Sequence, residues 1–104
     1  MRKGEVWWAN LPAPSGRRPV VLLSRDAAYI VRNAVTVAEI TSTIRNIPAE
    51  VPLDQSDGLP KKCVVNLDTI STISKIRLDT FITNLNQDKI TQINEAIKFA
   101  LHLS

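Results

Sequence analysis

Apolar and polar residues along the chain switch rhythm once, near residue 86. Before that point the apolar positions come in short runs broken by turn-forming residues. Gly4 to Leu11 (GEVWWANL) is rich in strand-forming side chains and reads as a β-strand. Pro12 to Arg17 holds two prolines and a glycine and reads as a turn. Arg18 to Ser24 (RPVVLLS) is a second strand, and its unbroken apolar run predicts burial on both faces. Asp26 to Arg32 has room for one turn of helix. Ala34 to Thr41 (AVTVAEIT) is a third strand, followed by a polar loop over 42–49 and a short extended piece, Glu50 to Leu53. Asp54 to Lys62 carries Gly58 and Pro60 and predicts a loop; Cys63 to Leu67 and Thr69 to Ile76 predict two further strands. Past residue 86 the period becomes helical. Ile90, Ile93, Ile97, Ala100 and Leu101 form one stripe, with Asn86 placed to cap the helix and Asp88 in its first turn. The expected fold class is mainly β: a compact, mostly antiparallel domain spanning residues 1–104, closed by one C-terminal helix.

Composition narrows the setting. With 104 residues, 44% of them hydrophobic, the chain can build a packed core. No apolar run approaches the ~20 residues of a membrane span, so no membrane association is expected. The basic start Met1-Arg2-Lys3 precedes a segment too short and interrupted for a signal-peptide core. Cys63 is the single cysteine, and a lone thiol fits a reducing cytoplasm. The net charge of +3 is unevenly spread: residues 1–45 carry seven bases against three acids. That imbalance fits a polyanion-binding half or ordinary solvated arginines, and charge alone favours the second.

Much chemistry is excluded. The chain has no Gly-rich phosphate loop and no cluster of metal-ligand residue types, so neither cofactor nor metal is expected. Its one histidine, His102, rules out a two-histidine ribonuclease mechanism. Arg18 stands where a rigid loop enters a buried strand, and a guanidinium there suits a phosphate clamp; a plain surface arginine fits the same position. Thr41 ends the third strand, shares a strand face with Glu39, and opens the hydroxyl run Thr41-Ser42-Thr43. Such hydroxyls hold phosphate or ribose oxygens, or simply cap loops. Trp7 and Trp8 must face opposite ways in a strand, one toward the core, the other toward a partner surface or a stacked base.

Taken in order, GEVWWANL (4–11), RPVVLLS (18–24), VTVAEITS (35–42), EVPL (50–53), Gly58-Leu59, VVNLD (64–68), ISKIRL (73–78) and the terminal helix resemble the MazF/PemK toxin family over nearly the whole chain. The resemblance implies an SH3-like β-barrel with a C-terminal α-helix, assembled as a homodimer. It also implies a cytoplasmic toxin that cleaves single-stranded RNA at short sequences without a metal, by attack of the ribose 2′-hydroxyl. The catalytic pair then falls on Arg18 and Thr41. Ser15, Arg17, Glu39, Ser42, Thr43 and Arg45, which flank that pair, are the expected RNA contacts. The implied partner is a MazE-like antitoxin whose acidic tail covers Arg18. Two departures from the family pattern stand out: the Pro12–Arg17 loop is short and lacks an acid, and Ser71 and Ser74 occupy positions where some members carry arginine and aspartate. A non-catalytic gyrase poison like CcdB is the alternative on the same fold. That family acts through a tryptophan near its C-terminus, whereas both tryptophans here are N-terminal.

Overall fold

The computed structural model describes residues 1–103. Six strands form one curled antiparallel sheet: β1 (Glu5–Asn10), β2 (Arg17–Leu22), β3 (Ala34–Thr41), β4 (Glu50–Leu53), β5 (Cys63–Ser74) and β6 (Leu78–Asn84). Their order across the sheet is β4-β5-β3-β2-β1-β6. A four-residue helix, α1 (Ala28–Val31), sits between β2 and β3, and α2 (Gln87–Ala100) closes the chain. The architecture is the expected mainly-β fold with its C-terminal helix.

The central strands are buried on both faces, as the apolar run of β2 predicts. Val20, Val21 and Leu22 are all fully buried. Val21 joins the larger core, with Val6, Ala38, Ile40, Val65 and Ile93. Val20 and Leu22 point the other way, into a second cluster with Ala9, Tyr29, Val35 and Val37. Helix α2 covers the first face and α1 the second. Burial in this second cluster pushes the Tyr29 hydroxyl up to about 12.

The terminal helix starts as its capping residues predict: the Asn86 side chain accepts a hydrogen bond from Lys89 N at 2.9 Å. Its apolar stripe is the expected one apart from its last position. Ile93 and Ala96 are the buried positions, with Ile90, Ile97 and Ala100 packed beside them. Leu101 is 55% exposed, because the helix ends at Ala100 and the next residue leaves helical geometry.

Two sequence expectations for the sheet are corrected. Cys63 to Ser74 is one twelve-residue strand, not two. Its pairing with β3 slips between Ala38 and Glu39, so the irregularity expected near Asp68 is absorbed as a bulge that bends the strand and lets it serve both ends of β3. Leu78–Asn84, read as no element, is the edge strand β6 on β1. Its pattern is blurred because an edge strand needs little apolar surface: Asp79, Thr80 and Phe81 are all exposed.

The loop after β4 is firmly built. A 3₁₀ turn over Gln55–Asp57 is closed by a reciprocal cap, Asp54 accepting from Ser56 N at 2.8 Å and Asp57 accepting from Asp54 N at 3.0 Å. Gly58 follows with φ +95 and lies flat against β6: a Cβ there would come within 2.6 Å of Thr83 Oγ1. The loop thereby meets the far edge of the sheet without a strand ladder.

Candidate active site

The site grows from the C-terminal end of β3 and the N-terminal end of β2, which are neighbours in the sheet. Their ladder runs Val20↔Glu39, Val21↔Ala38, Leu22↔Val37 and stops there. Pro19, next in line, has no N–H to donate. Continued by two residues, the same register sets Arg18 opposite Thr41. Alternation puts Arg18, Glu39 and Thr41 on the face of the second cluster, and Arg17, Pro19 and Ile40 on the face of the first.

Arg18 Nη1 donates to Glu39 Oε1 at 3.0 Å. The pair is partly open, with side chains 34% and 19% exposed. Thr41 Oγ1 accepts from Thr43 N at 3.2 Å, which folds the hydroxyl run back over the strand end. On the other face, the Arg17 guanidinium lies over the Trp8 ring at 4.5 Å. It is tethered by two hydrogen bonds to Asp79 Oδ2 on β6, at 2.9 and 3.1 Å. Trp7 faces away: it packs on the second cluster, meets Phe81 edge-on at 5.8 Å, and donates to Glu5 Oε1.

Two depressions of about 290 Å³ each adjoin here, and Arg18 and Thr41 line both. The first is walled mainly by Trp8, Pro19, Ile40, Leu59 and Pro60, with Arg17, Ser42 and Lys61 at its polar side. The second is polar, formed by Glu39, Thr43, Arg45, Asn66 and Thr69. The result is a cationic, hydroxyl-rich strand end with an apolar recess on one side and a polar one on the other. That combination suits a polyanionic chain whose bases need flat apolar walls.

Of the eight residues expected at the site, seven line these depressions: Arg17, Arg18, Glu39, Thr41, Ser42, Thr43 and Arg45. Ser15 lines neither; its N–H is turned back onto Pro12 O within the first loop. Sequence reasoning missed the wall contributed by Leu59, Pro60 and Lys61, and the tether Asp79. The signal for the wall was present as a proline beside two lysines in the loop before β5. Asp79 carried none, since its strand was not recognised. Ser71 and Ser74 pair with Val37 and Ala34, toward the opposite end of β3 from Thr41. His102 lies exposed beyond α2. Cys63 borders the first depression but is buried, and burial, ahead of the nearby Asp57 and Asp54 carboxylates, pushes its thiol up. Among the described residues, no group of three histidine, cysteine or acidic side chains gathers where a metal ion would be held.

Known proteins share both sequence and shape. Residues 2–101 match the family described as PemK-like, MazF-like toxin of type II toxin–antitoxin systems. The chain is 40% identical over 103 residues to a probable endoribonuclease, MazF5, of Mycobacterium tuberculosis, a match spanning 98% of this chain and 94% of that protein. It is 35% identical over 111 residues to endoribonuclease MazF of Staphylococcus saprophyticus, covering 99% and 92%. Among solved structures, the Mycobacterium tuberculosis toxin MazF-mt6 superposes with a TM-score of 0.89 at 34% identity, over 96% of this chain and 98% of that one. A mycobacterial endoribonuclease solved in complex with its cognate antitoxin gives 0.88 at 28% identity, over 100% and 97%. By sequence over nearly its full length and by fold, this chain belongs to the PemK/MazF-like toxin family of type II toxin–antitoxin systems.

Proposed function

We propose that this chain is an endoribonuclease toxin that cuts single-stranded RNA at a short sequence by attack of the 2′-hydroxyl on the adjacent phosphorus. The observation that carries this reading is that Arg18 and Thr41 line both depressions at once, so a phosphate seated between them has a nucleotide recess on either side. Relatives named endoribonuclease support the activity. The reaction leaves a 2′,3′-cyclic phosphate and a 5′-hydroxyl. Arg18 stabilises the negative charge that grows on the nonbridging oxygens, in a place only partly open to water, where a fixed cation acts strongly. Thr41 orients the phosphate through its hydroxyl. Arg17, Ser42, Thr43 and Arg45 hold the strand on either side, and Glu39 holds Arg18 in place. Ser15 contacts the strand only if the first loop moves toward it. Charge stabilisation rests on Arg18, so the reaction needs no metal ion and no cofactor.

The toxin works as a homodimer in the cytoplasm, and a cognate antitoxin of the MazE kind silences it. An acidic segment laid across Arg18 and Arg17 is the complementary inhibitor. The related endoribonuclease solved with its antitoxin supports that partner. Among the described residues, no helix is long and apolar enough to cross a membrane. The gyrase-poison alternative has no C-terminal tryptophan to act through.

Incubating the purified chain with a mixed RNA, with and without chelator, and mapping the new ends tests the reading. The expected outcome is cuts at one short sequence, each leaving a 5′-hydroxyl, unaffected by the chelator and absent on DNA of the same sequence. Intact RNA, or cleavage that requires added magnesium, overturns it.

A further inference from the structure

Attack by a 2′-hydroxyl requires a group that takes its proton, and Arg18 and Thr41 do not provide one. A guanidinium stays protonated far above neutral pH, and a threonine hydroxyl is not a base. Among the described residues lining the two depressions there is one carboxylate, Glu39, and no histidine. Its Oε1 accepts from Arg18 Nη1 at 3.0 Å, and its side chain is 19% exposed, open enough for a hydroxyl to reach. The groups that face it are Arg18 from β2, Thr43 and Arg45 from the loop over 42–49, Thr41 from its own strand, and Asn66 and Thr69 from β5. Among the described residues lining the two depressions, no second carboxylate competes for the proton.

We infer that Glu39 is the general base of the cleavage, beyond its contact with Arg18; the inference rests on the endoribonuclease reading above. The 2′-hydroxyl gives its proton to the free Glu39 oxygen, and the 2′-oxygen forms its bond to phosphorus. The P–O5′ bond breaks with its electron pair on the 5′-oxygen, which takes a proton from water. Glu39 then returns its proton to solvent. In-line displacement sets the leaving oxygen across phosphorus from the base. The two depressions lie to either side of Arg18 and Thr41, so attack over Glu39 sends the 5′-oxygen toward the recess of Trp8 and Pro60. With Nη1 on Glu39, Arg18 keeps Nε and Nη2 for the phosphate, so one guanidinium aligns the base and the reacting phosphorus together.

The test is single-turnover cleavage of one oligonucleotide, chosen from the wild-type cuts and followed across pH. Affinity is measured on the same sequence with 2′-deoxyribose at the cut. Glu39→Gln keeps an oxygen for Arg18 but cannot take a proton, so its rate should fall about a hundredfold or more. The rise of rate with pH that a carboxylate base imposes should vanish, with affinity held within about threefold of wild type. Glu39→Asp, with its carboxylate one methylene back, should cleave slowly and keep the rise. The inference is overturned if folded Glu39→Gln cleaves within about threefold of wild type, if it keeps the pH rise, or if its loss is one of affinity. It is overturned equally if Glu39→Asp loses the rise. A wild-type chain that cuts no RNA removes the endoribonuclease reading and this one together, whereas an active wild type with an indifferent Glu39→Gln removes this one alone.

Discussion

Replacing Arg18 by alanine should separate catalysis from stability more cleanly than any other single change. In the folded chain the Arg18 side chain is 34% exposed and, among the described residues, its one side-chain partner is Glu39. A partly open pair of this kind contributes about 0–1 kcal/mol to stability, which for a domain of this length moves the melting temperature by at most about 4–8 °C. The transition state makes a larger demand. A full charge about 4 Å from the nonbridging oxygens, at an effective dielectric of about 20, is worth about 4 kcal/mol. Measured losses of one such donor run from about 2.7 to 4 kcal/mol, or about a hundredfold to a thousandfold in rate. Arg18→Ala should therefore lose cleavage by that factor while melting within a few degrees of wild type. Arg18→Lys should recover only part of the rate, since a point charge cannot hold Glu39 and the phosphate with one planar fork. The assay is initial rate on a defined oligonucleotide beside thermal melts followed by circular dichroism. Folded Arg18→Ala cutting within about threefold of wild type refutes the assignment of Arg18.

Three further outcomes are expected. Thr41→Ala should cost less rate than Arg18→Ala, because it removes a hydroxyl and no charge, and Thr41→Ser should retain more activity than Thr41→Ala in the same assay. Ile93→Ala opens a hole where α2 meets the larger core and should destabilise by about 2–5 kcal/mol in urea titration. Tyr29 ionises at about 12 in the folded chain, above its value in an unfolded one. The unfolded state therefore loses the proton first, so stability should fall as pH rises from about 10 toward 12; Tyr29→Phe should flatten that fall in alkaline denaturant titrations.

The legible parts of this fold are those where one element carries one strong pattern. The β2 run Val20-Val21-Leu22 could be buried only on two sides, and the structure buries it there. Asn86 could be read as a cap because its side chain acts within its own turn. What escaped reading depends on contacts between distant segments. The single strand Cys63–Ser74 absorbs Asp68 and Thr69 through a bulge against β3, and nothing local to residue 68 announces it. Strand β6 needs little apolar surface, so its pattern is faint. At the site, Arg18, Glu39 and Thr41 were legible because each sits in or beside a recognisable strand. Lys61 and Asp79 were not, because only the closing of the sheet brings them near Trp8 and Arg17.

The loop after β4 bears on how this toxin diversifies. Its capped turn at Asp54–Asp57, the tight seat of Gly58 on Thr83 and the buried Cys63 pin it at both ends, while Pro60, Lys61 and Lys62 stand exposed between the pins. Substitutions at Pro60 and Lys61 alter the wall of the apolar recess without disturbing either anchor. The residues proposed to cut, Arg18 and Thr41, lie on β2 and β3. Under the proposed function, the wall facing a neighbouring base is thus free to change while the proposed cleavage residues stay fixed, and Gly58, seated against Thr83, is where that freedom stops.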